Sequence, residues 1–302
     1  MSYQAIREKL AARDTVLLDG GIGTEILRRR VSWADHQLAD RPEVVRSIHE
    51  DYIRAGADVI STNSFQLCRR ALYNHFRDAA HRRHIGATDL EGRANKLLAA
   101  SVQLAIEGRR SAAASRPVAV AASVTTLEWC FRPDLAPSAQ QAAQEYREIF
   151  QVAKEAGADL VLLETVNSIT EARVALEAAK GLGLPCWVGF VCDEQGRLFT
   201  GETFAQATAA LQPLGVDAIL LNCAPPNDIT VGMKALAPTT RVPFGAYAHI
   251  GRFDPPEWMF TDEYPPARYR DVAAQWKKLG ACILGGCCGT TPEHIAALAT
   301  LR

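Results

Sequence analysis

One junction recurs four times along the chain: a helical pattern ends in a small residue or Leu, then Gly, and the sequence turns at once into an apolar run. It appears as Ala55-Gly56-Ala57-Asp58, Ala156-Gly157-Ala158-Asp159, Leu214-Gly215-Val216-Asp217 and Leu279-Gly280-Ala281-Cys282. Glycine suits the left-handed position just past a helix, and a continuous apolar run after it suits a strand covered on both faces. A repeated strand-helix unit therefore constrains the fold more than any other feature. Counting apolar runs gives eight strands, over 15–19, 58–63, 118–124, 160–165, 187–192, 218–223, 243–249 and 282–286. Helical patterns separate them. The alternation predicts an α/β fold with a parallel sheet, and eight units are the number that closes a single (β/α)8 TIM barrel. The alternative is an open, doubly wound sheet.

The length of 302 residues fits one barrel domain spanning 1–302, and 48% apolar residues suffice for its core. Local signals agree. Ala142, Tyr146, Ile149, Phe150 and Ala153 fall at helical spacing and predict one buried stripe. Ser168-Ile169-Thr170-Glu171 reads as a capping box, and Thr291-Pro292-Glu293 as a cap with a first-turn proline. A formal net charge of −1 offers no field for nucleic acid or an anionic membrane, so a small molecule is the expected partner. The charged N-terminus lacks a signal-peptide core and no segment is apolar enough to span a bilayer, which predicts a cytoplasmic protein. Oligomeric state is not legible.

In a TIM barrel the C-terminal ends of the strands converge on one mouth. The unusual residues fall there: Asp19-Gly20-Gly21-Ile22-Gly23-Thr24 after the first strand, Thr62-Asn63-Ser64-Phe65 after the second, Glu164-Thr165 after the fourth, Asn222-Cys223 after the sixth and Gly285-Gly286-Cys287-Cys288-Gly289 after the eighth. Adjacent strand residues point to opposite faces, so Cys287 and Cys288 can serve one point only if the chain turns sharply, which the flanking glycines permit. With Cys223 they make three thiolates for Zn²⁺ and leave a fourth position open, the pattern of a catalytic site. Cys68, Cys130, Cys186, Cys192 and Cys282 read as buried thiols. The glycines after Asp19 lack the spacing of a nucleotide loop.

These motifs resemble the zinc-dependent homocysteine S-methyltransferase family, over nearly the whole chain from Asp19-Gly20-Gly21 to the last helix, and the length is similar to its short single-domain members. The resemblance implies methyl transfer from a sulfonium or other onium donor (S-methylmethionine, S-adenosylmethionine or a betaine) to the zinc-bound thiol of homocysteine, giving methionine. It implies catalytic and metal roles for Cys223, Cys287 and Cys288. Glu164 and Asp19 would face the substrate ammonium; backbone N–H groups at Gly20 and Gly21 and the Ser64 hydroxyl would face its carboxylate; Asn222 and His249 would complete the substrate site. Family members often carry Tyr-Pro-Asn or Tyr-Ala-Asn after strand seven, where this chain has Tyr247-Ala248-His249. His249 either holds the substrate, shuttles a proton or simply packs at the mouth.

Two other classes stay open: a non-catalytic zinc or thiol-binding barrel, and a zinc hydrolase using water, with a methyltransferase for a different thiol as a further variant. Two connections are long. The first, over 66–93, is rich in Arg69, Arg70, Arg77, Arg82, Arg83, His75, His81 and His84 and reads as a solvated cover. The second, over 251–266, carries Phe253, Trp258, Phe260 and Tyr264, and reads as a lid or as a loop packed on the barrel.

Overall fold

Eight strands form one parallel sheet in the computed structural model, which describes residues 2–31, 38–75, 89–112, 116–254 and 257–302. In chain order they are β1 (Val16–Leu17), β2 (Val59–Ser61), β3 (Ala119–Val124), β4 (Leu160–Val166), β5 (Cys186–Phe190), β6 (Ala218–Asn222), β7 (Phe244–Tyr247) and β10 (Ile283–Leu284). Their lateral order is β1-β10-β7-β6-β5-β4-β3-β2, and a parallel bridge between Leu18 and Val59 joins the two ends. The sheet is thus a (β/α)8 barrel, not an open one. Every predicted strand is present, though most are shorter than their apolar runs. The junction glycines Gly56, Gly157, Gly215 and Gly280 all have positive φ, as a left-handed helix exit requires.

Strand alternation sorts the apolar residues into two clusters. Val59, Ala119, Ala121, Leu160, Leu162, Trp187, Ala218, Leu220 and Ile283 point into the barrel, while Val120, Val161, Leu163, Val188, Ile219 and Leu221 point out toward the helices. A helix over Ser2–Ala11, α1, closes the N-terminal end with Tyr3, Ile6 and Leu10, which join the inner cluster. Trp187 Nε1 donates to the Tyr3 hydroxyl at 3.0 Å, so the widest side chain of the interior is anchored to this plug. Each buried leucine here contributes roughly 1.5–3 kcal/mol. The interior below the mouth is filled and apolar, leaving the C-terminal end as the place for polar chemistry.

Several local expectations meet their structures. Ala142, Tyr146, Ile149, Phe150 and Ala153 are the buried residues of the helix over Ala139–Glu155. Thr291 caps the last helix, with Pro292 in its first turn. The box at Ser168 is only half formed: Ser168 accepts from the Glu171 N–H, but the Glu171 carboxylate is taken by Leu127 N at 2.9 Å and Tyr146 Oη at 2.8 Å. The second long connection is a β-hairpin, β8 (Arg252–Asp254) with antiparallel β9 (Glu257–Met259), rather than irregular loop. Of the basic connection, Arg77, His81, Arg82, Arg83, His84 and the side chain of His75 lie outside the described residues. Within them, Arg70 pairs with Glu128 at 3.1 Å and with Glu145 at 2.5 Å. No helix among the described residues is long and apolar enough to cross a membrane.

Candidate thiol and metal site

On five of the strands the inward residue at the C-terminal end is polar, above apolar inward positions. Ser61, Ser123, Glu164, Asn222 and Tyr247 are these terminal inward residues, and Asp19 follows β1. They form a ring over the apolar interior. Asp19 accepts from Ser61 N at 2.7 Å and Ser61 Oγ at 3.0 Å. Burial pushes its carboxyl well above the usual carboxylate range, the bonds from Ser61 oppose this, and the nearby Glu164 adds to it.

Glu164 is held by Ser123 Oγ and by Tyr247 Oη, the latter at 3.2 Å. Burial raises its carboxyl to about 7, against those two hydrogen bonds. A carboxyl titrating there switches charge within the physiological range.

Two backbone positions at the mouth are in the left-handed region although neither is glycine: Thr165 at φ 58° and Cys223 at φ 52°. Such residues cost about 1–3 kcal/mol and persist only where the surroundings over-determine them. Asn222 supplies that constraint. Its Oδ1 accepts from Thr165 N and its Nδ2 donates to Thr165 Oγ1, both at 2.9 Å, across the register shift between Leu163 and Val166. Asn222 is 0% exposed. Both ends of its amide are engaged in holding Thr165.

The cysteine turn after β10 is built on its backbone. Gly289 has φ 84°, and a Cβ there would lie 2.0 Å from the Ile250 carbonyl oxygen, so no other residue fits. Thr290 N and Thr290 Oγ1 both donate to the Cys287 carbonyl, at 3.1 and 2.7 Å, and fold the pair back on itself. Cys223 N meets the Tyr247 carbonyl at 3.3 Å. The consequence is convergence: the sulfurs of Cys223, Cys287 and Cys288 all lie within 4.8 Å of one another, each partly exposed. The adjoining Cys223 and Cys287 thiols hold Cys288 well below the usual thiol range despite burial.

The donor set suits a soft-accepting divalent cation. Three thiolates around one zinc are about 3.8 Å apart for Zn–S bonds of about 2.3 Å, and the three sulfurs here lie within 4.8 Å of one another. The five other cysteines are buried, as expected of structural thiols, and none of them joins the cluster.

The remaining predicted residues sit around this cluster with differing freedom. Gly20 and Gly21 pack against Tyr52, Thr290 and the Cys287–Cys288 backbone, and Gly21 N donates to Thr290 Oγ1 at 3.3 Å. Ser64 is 2% exposed and its Oγ donates to the Ser123 carbonyl at 2.7 Å, with Thr62 Oγ1 at 2.6 Å. Its proton is committed inside the barrel wall. His249 lies at the mouth near Cys288, its ring nearly perpendicular to that of Trp258; burial lowers its pKa, and Cys288 and the Cys223 main chain oppose that. Ser61, Ser123, Thr165 and Tyr247, which orient the acids and the cysteine turn, were not singled out as site residues by sequence. The signal was there in the period-2 alternation, whose last inward position is polar on strand after strand.

A barrel of this kind, with three thiols converging at its C-terminal mouth beside two buried acids, belongs among enzymes that handle thiols. The sequence pattern of the homocysteine S-methyltransferase family matches residues 16–301, and the chain belongs to that family. Homocysteine S-methyltransferase of Escherichia coli (strain K12) is 28% identical over 313 residues, 97% of each chain. Selenocysteine Se-methyltransferase of Brassica oleracea var. italica is 27% identical, covering 93% of this chain and 87% of its own. Among solved structures, the metallated form of the homocysteine methyltransferase MmuM from Escherichia coli is similar over 100% of both chains, with TM-score 0.81 and 27% identity.

Proposed function

We propose that the chain, as one domain over 1–302, transfers a methyl group from an onium donor to the sulfur of homocysteine, giving methionine, with zinc held by Cys223, Cys287 and Cys288. The convergence of three sulfurs within 4.8 Å at the mouth carries this reading. Zinc, when bound, lowers the pKa of a thiol entering its open position, supplying a thiolate at neutral pH where a free thiol is mostly protonated.

The chain's own groups do the rest. Glu164, once ionised, faces the substrate ammonium, with the Asp19 carboxyl, held by Ser61, beside it. Tyr247 and Ser123 fix the Glu164 carboxylate so that it need not reorganise on binding. The filled interior below Glu164 keeps bulk water from the far side of the site. Exclusion of water favours a thiol nucleophile over hydrolysis. In the transfer the acceptor S–CH₃ bond forms as the donor S⁺–CH₃ bond breaks, and the donor leaves as a neutral thioether.

The test is methionine formation, read by mass spectrometry, from zinc-loaded protein and homocysteine with S-methylmethionine, S-adenosylmethionine or glycine betaine. The expected result is methionine with a sulfonium donor, and none from Cys287→Ser. A fully zinc-loaded protein that makes no methionine from any of the three would overturn the proposal.

A further inference from the structure

The two cysteine turns are held from one side by the segment that leaves β7 and by the hairpin that follows it. In the barrel β7 lies between β6 and β10, so its C-terminal extension runs between Cys223 and the Cys287–Cys288 pair. Three consecutive residues bond to both turns. The Ala248 carbonyl accepts from Cys287 N at 2.9 Å, His249 N donates to the Ala224 carbonyl at 3.2 Å, and Ile250 N donates to the Cys288 carbonyl at 2.8 Å.

The chain then reverses into the β8–β9 hairpin, and two side chains reach back from it. Trp258 packs against the His249 ring, edge to face, with centroids 5.7 Å apart, and His249 N holds the carbonyl of Ala224, next to Cys223. Phe260, just past β9, lies under the Arg28 guanidinium at 4.5 Å, and Arg28 Nη2 donates at 3.3 Å to the carbonyl of Gly289, next to Cys288. Each cysteine turn therefore has its own line of contact to the hairpin. Trp258 Nε1 is buried without a hydrogen-bond partner. A donor left so is a cost that its packing on His249 must offset. By contrast Met259, between Trp258 and Phe260 on the same hairpin, is 46% exposed and alternates onto the opposite face of the ribbon.

We propose that Trp258 and Phe260 are positioning residues for the metal-binding cysteines, the hairpin acting through His249 and Arg28 to hold Cys223 and Cys288 where three sulfurs share one ion. This rests on the metal reading given above. The hairpin thus takes the place that second-layer hydrogen bonds occupy around other metal sites, where loss of one partner costs about 10–100-fold in metal affinity.

The test uses the whole chain loaded with zinc or with cobalt(II). Transfer of zinc to a chromophoric chelator gives the rate of loss, and the cobalt absorption bands report ligand geometry. Trp258→Ala is expected to speed zinc loss about tenfold, the lower end of that range, and to shift the cobalt bands, while Trp258→Phe restores both. Phe260→Ala, at a residue 43% exposed and so without consequence for folding, is expected to act in the same direction. Met259→Ala, on the opposite face, is expected to leave both readouts unchanged. Wild-type zinc retention and an unaltered cobalt spectrum in both alanine variants would overturn the inference while leaving the metal reading intact. A wild-type chain that binds neither metal would overturn both.

Discussion

Replacing Glu164 with Gln isolates the charge at the centre of the mouth. Burial raises the Glu164 carboxyl from 4.5 to about 7. A group with a raised folded pKa contributes stability that is fully present below its unfolded pKa and is lost as pH rises through the folded one. At about pH 5 the folded carboxyl is protonated and at about pH 8 it is ionised, so the wild type loses roughly 2–3 kcal/mol through this group between the two. Glu164→Gln loses none through it. Asp19 is raised in the same direction, but it is common to both proteins and its main part cancels in the difference. Urea unfolding of metal-free wild type and variant at the two pH values gives the quantity directly. The expected result is a variant that gains roughly 2–3 kcal/mol relative to wild type on going from the lower pH to the higher. An unchanged difference between the two proteins would refute the claim that the buried Glu164 is poised near neutrality. The same ionisation serves function, since an ammonium is held better by the carboxylate than by the acid.

Other perturbations follow from particular contacts. His49 is fully buried with neither ring nitrogen bonded, and burial lowers its pKa to about 4. Its contribution is present above about 6.5 and is lost as pH falls, so His49→Leu is expected to remove about 2 kcal/mol of destabilisation between about pH 7 and pH 5, measured by urea unfolding. Gly289→Ala places a Cβ on the Ile250 carbonyl at positive φ; it is expected to cost about 1–3 kcal/mol and to lower zinc stoichiometry, because Ile250 N also holds Cys288. Tyr3→Phe removes the acceptor for Trp187 at the opposite end of the barrel and is expected to cost about 1 kcal/mol in thermal unfolding with turnover unchanged.

The barrel was legible because its signal is redundant. Eight apolar runs, four repeated junctions and the burial of both strand faces point to the same topology, and no single residue decides it. The three cysteines were legible for a related reason, since a strand C-terminus fixes which end of the barrel a residue occupies. Long-range hydrogen bonds were not. Nothing local to Asn222 says that its amide spans to Thr165, or that Ser64 spends its proton on Ser123, because these partners meet only when the sheet closes. Tyr247 was read as part of a departure at His249, whereas its hydroxyl reaches Glu164 from across the barrel. The hairpin was hidden by Pro255-Pro256, which separates two three-residue strands and makes them look like loop. The helix over Ser2–Ala11 was passed over because its short charged sequence gives a weak stripe, yet Tyr3, Ile6 and Leu10 meet a ready-made apolar opening.

X-ray absorption at the zinc edge, on the loaded chain before and after adding homocysteine, tests the central claim most directly. Three sulfur ligands are predicted without substrate and four with it, the fourth lost when a thioether such as methionine replaces the thiol. A count that stays at three in the presence of saturating homocysteine, or a zinc bound mainly through nitrogen and oxygen, would contradict the assignment of Cys223, Cys287 and Cys288 as the site where the acceptor thiol is activated.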